Sequence, residues 1–230
     1  LLFRSWRQQA ASEGLRLRVG KWNIPGTPVA VLVDYKTFLP QCDSILTDFW
    51  TSFGVDSLTG NWDYKEAAVF GYVAGKVIES FYNYNLSSAD KAVAQFHEWQ
   101  TGAGLLQLKR ANIPVATVFT THATVIGRCL AGNNLKLYDD MATFNGDAMA
   151  QRFGVIALHS LEKMAAREAD VFTTVSEITA KECAQFLERP VDVVTPNGFE
   201  NSFTPADDEE YARLHDAARQ RLVEVATAMS

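Results

Sequence analysis

From residue 15 onward, short apolar, β-branched runs alternate with longer stretches whose apolar positions recur every three or four residues. That rhythm predicts βαβ units around a mostly parallel sheet. The short runs cover 15–22, 29–35, 92–97, 114–120, 169–174 and 191–195, and their near-continuous apolar character is that of strands covered on both faces. Helices are expected over 44–52, 64–82, 103–111, a short stretch after Thr124, 151–168, 177–187 and 208–228. Each crosses back over a sheet with length to spare. Asn23-Ile24-Pro25-Gly26-Thr27-Pro28 joins the first two runs with turn chemistry and reads as a hairpin or loop. The last helix opens on Asp207-Asp208-Glu209-Glu210, carboxylates that suit the positive end of a helix dipole. With no internal repeat and no low-complexity linker, the pattern describes one doubly wound, Rossmann-like α/β domain over 1–230, somewhat decorated.

Composition narrows the functions more than the fold. The 230 residues are 47% hydrophobic and 21% charged, which places the chain among ordinary globular proteins. Lys and Arg number 21 against 27 Asp and Glu, a net charge of −6, which argues against binding a nucleic acid or an anionic membrane by bulk attraction. Any anion site must be built locally. Cys42, Cys129 and Cys183 form no pair at metal-binding or redox spacing, so free thiols in a reducing compartment are expected. No apolar run approaches the ~18 residues of a membrane span and no signal peptide is legible, so the expected location is cytoplasmic. The chain begins without Met, in what reads as the middle of a helix, which suggests a fragment.

In open α/β sheets ligands bind beyond the carboxyl ends of the strands, where helix N-termini gather. Four predicted strand exits are rich in functional groups: His97-Glu98-Trp99, Thr120-Thr121-His122-Ala123-Thr124, Ser176-Glu177 and Pro196-Asn197-Gly198. Thr124 is a plausible N-cap, which puts His122 just outside a helix mouth and Arg128 one turn inside it. Such a mouth suits a phosphate or sugar phosphate. The bland alternative is a satisfied loop histidine beside an ordinary surface arginine, the commoner situation for a lone His/Arg pair. Trp99 reads first as core, Ser176 as a helix cap, and Gly198 as a turn glycine with positive φ.

Sharper motifs fail. Gly102-Ala103-Gly104 opens a helix after a strand, but Gln107 stands where the dinucleotide fingerprint needs a third small residue. Gly71 to Gly75-Lys76-Val77 is one residue short of a phosphate loop and has Val where Ser or Thr would hold magnesium. His97-Glu98 lacks the second His of a zinc protease, and the run from His159 ends on Lys163 where the inverted version needs His. No metal site is supported, and no metal or other cofactor is expected. His159 and His215 fall in helical stretches and read as structural or solvent-facing.

At these same exits the chain resembles a known family. The blocks Phe96-His97-Glu98-Trp99 with Gly102 and Gly104, Val118-Phe119-Thr120-Thr121-His122-Ala123-Thr124-Val125-Ile126-Gly127-Arg128, Asp170-Val171-Phe172-Thr173-Thr174-Val175-Ser176 and Val193-Val194-Thr195-Pro196-Asn197-Gly198 are similar, in order and spacing, to the N-terminal domain of eukaryotic-type glycogen synthases, glycosyltransferase family 3. The likeness is strong from Phe96 to Gly198 and weak before Asn61.

The resemblance implies a GT-B glycosyltransferase with its active site between two Rossmann-like domains. It would transfer glucose from UDP-glucose to the non-reducing 4-hydroxyl of an α-1,4-glucan such as glycogen, with retention and without a metal. His122 would lie beside the transferred glucosyl unit, Glu98 on the acceptor side, Arg128 facing the diphosphate and Asn197 lining the donor cleft. The family's first strand and glycine-rich turn, and its C-terminal nucleotide-sugar domain, have no counterpart in residues 1–230. The chain thus reads as an acceptor-side N-terminal fragment, inactive by itself, of a protein expected to be a homo-oligomer at full length. Rival readings are a GT-B enzyme for another nucleotide sugar, a non-catalytic domain that retains the fold and, last, a nicotinamide-dependent oxidoreductase.

Overall fold

In the computed structural model, which describes residues 3–198 and 204–229, the expected alternation becomes a small hairpin followed by a parallel α/β sheet. Helix α1 (Arg4–Ser12) leads into β1 (Leu17–Lys21) and β2 (Val29–Val33), an antiparallel pair running from Leu17 opposite Val33 to Lys21 opposite Val29. The turn chemistry between them closes this hairpin with Gly26 and Thr27 both at positive φ, 80° and 40°. A 3₁₀ turn (Tyr35–Gln41), α2 (Cys42–Phe53) and the long α3 (Trp62–Asn85) precede the main sheet.

That sheet has four strands in sequential order, β3 (Val93–His97), β4 (Ala116–Thr121), β5 (Val171–Thr174) and β6 (Val193–Val194), all parallel. Each step is made by helices: α4 (Glu98–Arg110), then α5 (Val125–Gly132), α6 (Gly146–Phe153) and α7 (Ile156–Glu168), then α8 (Glu177–Phe186). The single helix expected over 151–168 is in fact two. Gly154 takes a left-handed φ of 68° and ends α6, because only glycine enters that conformation without steric cost.

Register places Phe96, Phe119 and Phe172 on one face of the sheet, where all three are buried beneath α4, α7 and α8. The Phe119 and Phe172 rings stack at 5.8 Å. The opposite face carries exposed Val93, Val171 and Val193, so within this body the apolar runs are covered on one side rather than both.

The glycines that resembled nucleotide motifs are packing devices. A Cβ on Gly75 would lie 2.7 Å from the Gly104 carbonyl, and one on Gly104 would lie 2.6 Å from the Phe96 ring and 2.7 Å from the Gly71 carbonyl. A Cβ on Gly102 would meet Ala165 of α7 at 2.9 Å. The missing side chains let α3, α4 and α7 approach almost backbone to backbone.

The chain, read from sequence as one domain over 1–230, packs as two units, Leu1–Pro196 and Asn197–Ser230. The second contains α9 (Asp208–Ala228), whose N-cap Asp207 accepts from the Glu210 amide at 2.8 Å. Among the described residues no helix is long and apolar enough to cross a membrane.

Candidate functional site

The carboxyl ends of β3 and β4 are hydrogen-bonded neighbours, His97 opposite Thr120, so their exits fall side by side. Their polar residues interlock. Glu98, the first residue of α4, adopts a positive φ of 61°, a costly backbone state for a non-glycine residue that clusters at functional sites. Its Oε1 accepts the His122 backbone N–H at 2.7 Å and lies 3.9 Å from the Arg128 guanidinium. His97 Nδ1 and His122 Nε2 are 3.1 Å apart, so one imidazole donates to the unprotonated nitrogen of the other. Burial, and then the His122 imidazole, push His97 below the usual imidazole range, with Glu98 acting the other way.

Three of the four site residues expected from sequence, Glu98, His122 and Arg128, are therefore brought together. Arg128 is the most exposed, its side chain 63% accessible against 19% for Glu98. Asn197 opens the second unit and is exposed. Trp99 stacks on Tyr64 at 6.0 Å and nearly parallel, as a core residue does. Ser176 caps α8 by accepting the Thr179 amide at 3.2 Å. Gly198, expected at positive φ, is not among the glycines in that conformation.

Thr124 is indeed the N-cap of α5, its hydroxyl accepting the Gly127 amide at 2.9 Å. The idea that this helix mouth receives a phosphate needs correction. The Val125 amide is taken by the Glu162 carboxylate at 3.0 Å, and Val125, Ile126 and Gly127 are all buried. The mouth is closed by a buried carboxyl group of the protein itself, and the cation offered to a ligand here is the Arg128 side chain.

Beneath the exits lies a polar layer. Gln95 donates to the Thr120 hydroxyl at 3.0 Å, which meets the Thr173 hydroxyl at 2.7 Å, linking three strands. Two carboxyls, Glu162 of α7 and Glu182 of α8, are 0% and 4% exposed. Burial pushes Glu162 up to about 8, against the hydrogen bonds from Val125 and Thr121, which lower it. Sequence passes over Glu162, which appears only within the rejected run from His159 to Lys163. Its signal is position: it shares a helical face with Leu158, Leu161, Ala165 and Ala166, a charge where the period demands an apolar residue. His97 shows no sequence signal beyond its place at a strand exit. His159 is buried against Asp147, Nε2 to Oδ1 3.0 Å, and His215 is exposed beside Asp216.

What the arrangement can do chemically is present a hydrogen-bonded imidazole pair, an anchored carboxylate and an exposed cation at two adjacent strand ends. Among the described residues no group of three or more His, Cys, Asp or Glu is placed to hold a metal ion.

A model of the glycogen synthase family matches residues 4–227. The glycogen (starch) synthase of Dictyostelium discoideum is 37% identical over 203 residues, covering 88% of this chain and 22% of that protein. The liver glycogen (starch) synthase of Rattus norvegicus is 34% identical over 210 residues, 91% of this chain and 29% of its own length. Isoform 2 of Saccharomyces cerevisiae is 33% identical over 216 residues, 94% and 30% respectively. The chain thus spans less than a third of each of these relatives.

Proposed function

The chain belongs to the glycogen synthase family, and from that premise we propose that residues 1–230 form the acceptor-side part of a retaining GT-B glycosyltransferase. The full-length protein moves glucose from UDP-glucose to the non-reducing 4-hydroxyl of an α-1,4-glucan. The observation that carries this reading is the convergence of Glu98, His122 and Arg128 at two adjacent strand exits, with Glu98 Oε1 at 2.7 Å from the His122 amide.

Breaking the glycosidic bond to a nucleoside diphosphate builds positive charge on the sugar ring and negative charge on the leaving phosphate. In this reading Arg128, tethered loosely by Glu98 at 3.9 Å and otherwise exposed, swings to the diphosphate. No metal takes part; the remaining positive charge, and most of the nucleotide pocket with Asn197 at its edge, belong to the cleft with a second domain of the same protein. His122 sits beside the glucosyl unit with its backbone fixed by Glu98 and its ring by His97. Both contacts of Glu98 use Oε1, and Oε2 is the oxygen that faces an acceptor hydroxyl.

The test is incorporation of labelled glucose from UDP-glucose into glycogen by the full-length gene product. Wild type is expected to incorporate label, and His122→Ala and Arg128→Ala each to lose ~10²- to 10³-fold. Unchanged activity in both variants removes the site assignment. A wild type that incorporates nothing with any glucan acceptor points to another nucleotide sugar or to a non-catalytic domain. Residues 1–230 alone are expected to transfer no glucose.

A further inference from the structure

We propose that Glu162 is a positioning residue: its buried carboxyl group holds the loop 121–125 from beneath and so fixes where His122 and the Arg128 helix stand at the strand exit. The inference rests on reading that exit as a glucosyl-transfer site.

The two oxygens of Glu162 divide their work across the loop. Oε1 accepts the Thr121 hydroxyl at 3.0 Å and Oε2 accepts the Val125 amide at 3.0 Å, one on each side of His122, Ala123 and Thr124. Val125 is the first residue of α5, and its amide is one of the donors that a helix start leaves without an intrahelical partner. Thr124 already serves the Gly127 amide. Glu162 therefore completes the cap from another helix, 37 residues away in sequence.

Glu182 supplies the second point of attachment. It accepts the Thr124 hydroxyl at 2.8 Å and the Tyr138 hydroxyl at 3.1 Å. A Cβ on Gly127 would fall 2.1 Å from Glu182 Oε2, so the bare glycine is what lets this carboxyl in. Thr121, Thr124, Val125 and Gly127 are thus held or crowded from below by α7 and α8, all four buried, while His122 and Arg128 keep exposed surface above. A buried carboxyl is costly to desolvate and is tolerated when its hydrogen bonds are met. Here those bonds end on the segment that carries the proposed chemistry.

A glutamine at 162 can keep both contacts, its amide N–H donating to the Thr121 hydroxyl and its carbonyl accepting the Val125 amide. A methionine keeps the volume and neither contact. In the full-length protein, amide hydrogen exchange over 122–128 is expected to speed ~10-fold or more in Glu162→Met and to stay within ~3-fold of wild type in Glu162→Gln. Thr121→Val, which removes the Oε1 contact together with the longer 3.4 Å bond of the same hydroxyl to the Ala123 carbonyl and leaves the Val125 contact in place, falls between them and serves if the methionine variant does not fold. In the same preparations Glu162→Met is expected to lose ~10²-fold in kcat with a smaller change in KM for UDP-glucose, and Glu162→Gln to keep its rate. Wild-type exchange over 122–128 in the methionine and valine variants overturns the proposal. So does protection lost evenly across the whole unit, or a glutamine variant that behaves like methionine. If wild type transfers no glucose from UDP-glucose, the functional reading falls, and the exchange comparison still decides whether Glu162 holds the loop.

Discussion

The seam between α3 and α4 and the strand-exit edge of the same sheet are both closely packed, and they achieve it by opposite means. At the seam, Gly71, Gly75 and Gly104 remove side chains so that backbones meet beside Phe96 and Ala103, and Gly102 does the same for α4 against Ala165 of α7. At the exit, Thr121, Thr124, Thr173 and Thr174 are buried with Glu162 and Glu182, and closeness is achieved by hydrogen bonds that each satisfy a desolvated group. The glycine contacts of the seam involve no titratable group, and the Lys76–Glu79 pair that meets Gln107 beside them is a separate polar contact between α3 and α4. The exit has orientation built into every contact, since a hydrogen bond fixes direction as well as distance. A molecule that needs rigidity in one place and aimed functional groups in another uses apolar packing for the first and buried polar groups for the second.

The comparison is broken most forcefully at the seam. Gly104→Ala places a Cβ 2.6 Å from the Phe96 ring and 2.7 Å from the Gly71 carbonyl, which cannot both give way, and is expected to cost ~3 kcal/mol in denaturant unfolding. A cost under ~0.5 kcal/mol would show that α3 and α4 separate freely. Glu162→Met leaves the Val125 amide without its partner and the Thr121 hydroxyl with only its 3.4 Å bond to the Ala123 carbonyl, and is expected to cost ~1–2 kcal/mol by the same measurement.

The two regions should also differ in pH dependence. The Glu162 carboxyl is raised in the folded protein from the ordinary 4.5 to about 8, so between those values the native state holds a proton that the unfolded chain has released. Its contribution to stability is therefore greatest below about 4.5 and is lost as pH rises toward about 8. The stability of wild type relative to Glu162→Gln should fall over pH 5 to 8, with other titrations cancelling in the difference; a flat difference would place the carboxyl in a wetter setting. The smallest stability effect belongs to Arg128→Ala. An exposed side chain 3.9 Å from its carboxylate should change the unfolding free energy by under ~0.5 kcal/mol, even while transfer activity falls.

Most of this was legible along the chain where the signal is local. Thr124, Ser176 and Asp207 each precede a helical period and each caps the helix that follows. The expected strand centres coincide with β1 to β6, and the Pro-Gly turn closes a hairpin. Gly154 is a local break signal inside the helix expected over 151–168, and the apolar period that continues across it hides the break that the structure shows between α6 and α7. The topological rule about strand exits points to Glu98, His122 and Arg128, and the resemblance of the blocks around them to glycogen synthases supplies the roles expected of them. The same rule could not reveal that Glu162 closes the α5 mouth, since the two segments are 37 residues apart and only folding makes them neighbours.

What the sequence determined by itself was the order of elements, their caps and the strand ends where function gathers, because propensity, periodicity and capping act over a few residues. What the tertiary structure decided was which groups are desolvated and what they then hold. The glycines of α3 and α4 became a packing seam rather than a nucleotide loop, and the helix mouth became closed by a buried carboxyl rather than open to phosphate. Both outcomes depend on backbones and side chains from distant segments coming within van der Waals or hydrogen-bond range, and no local pattern carries that information.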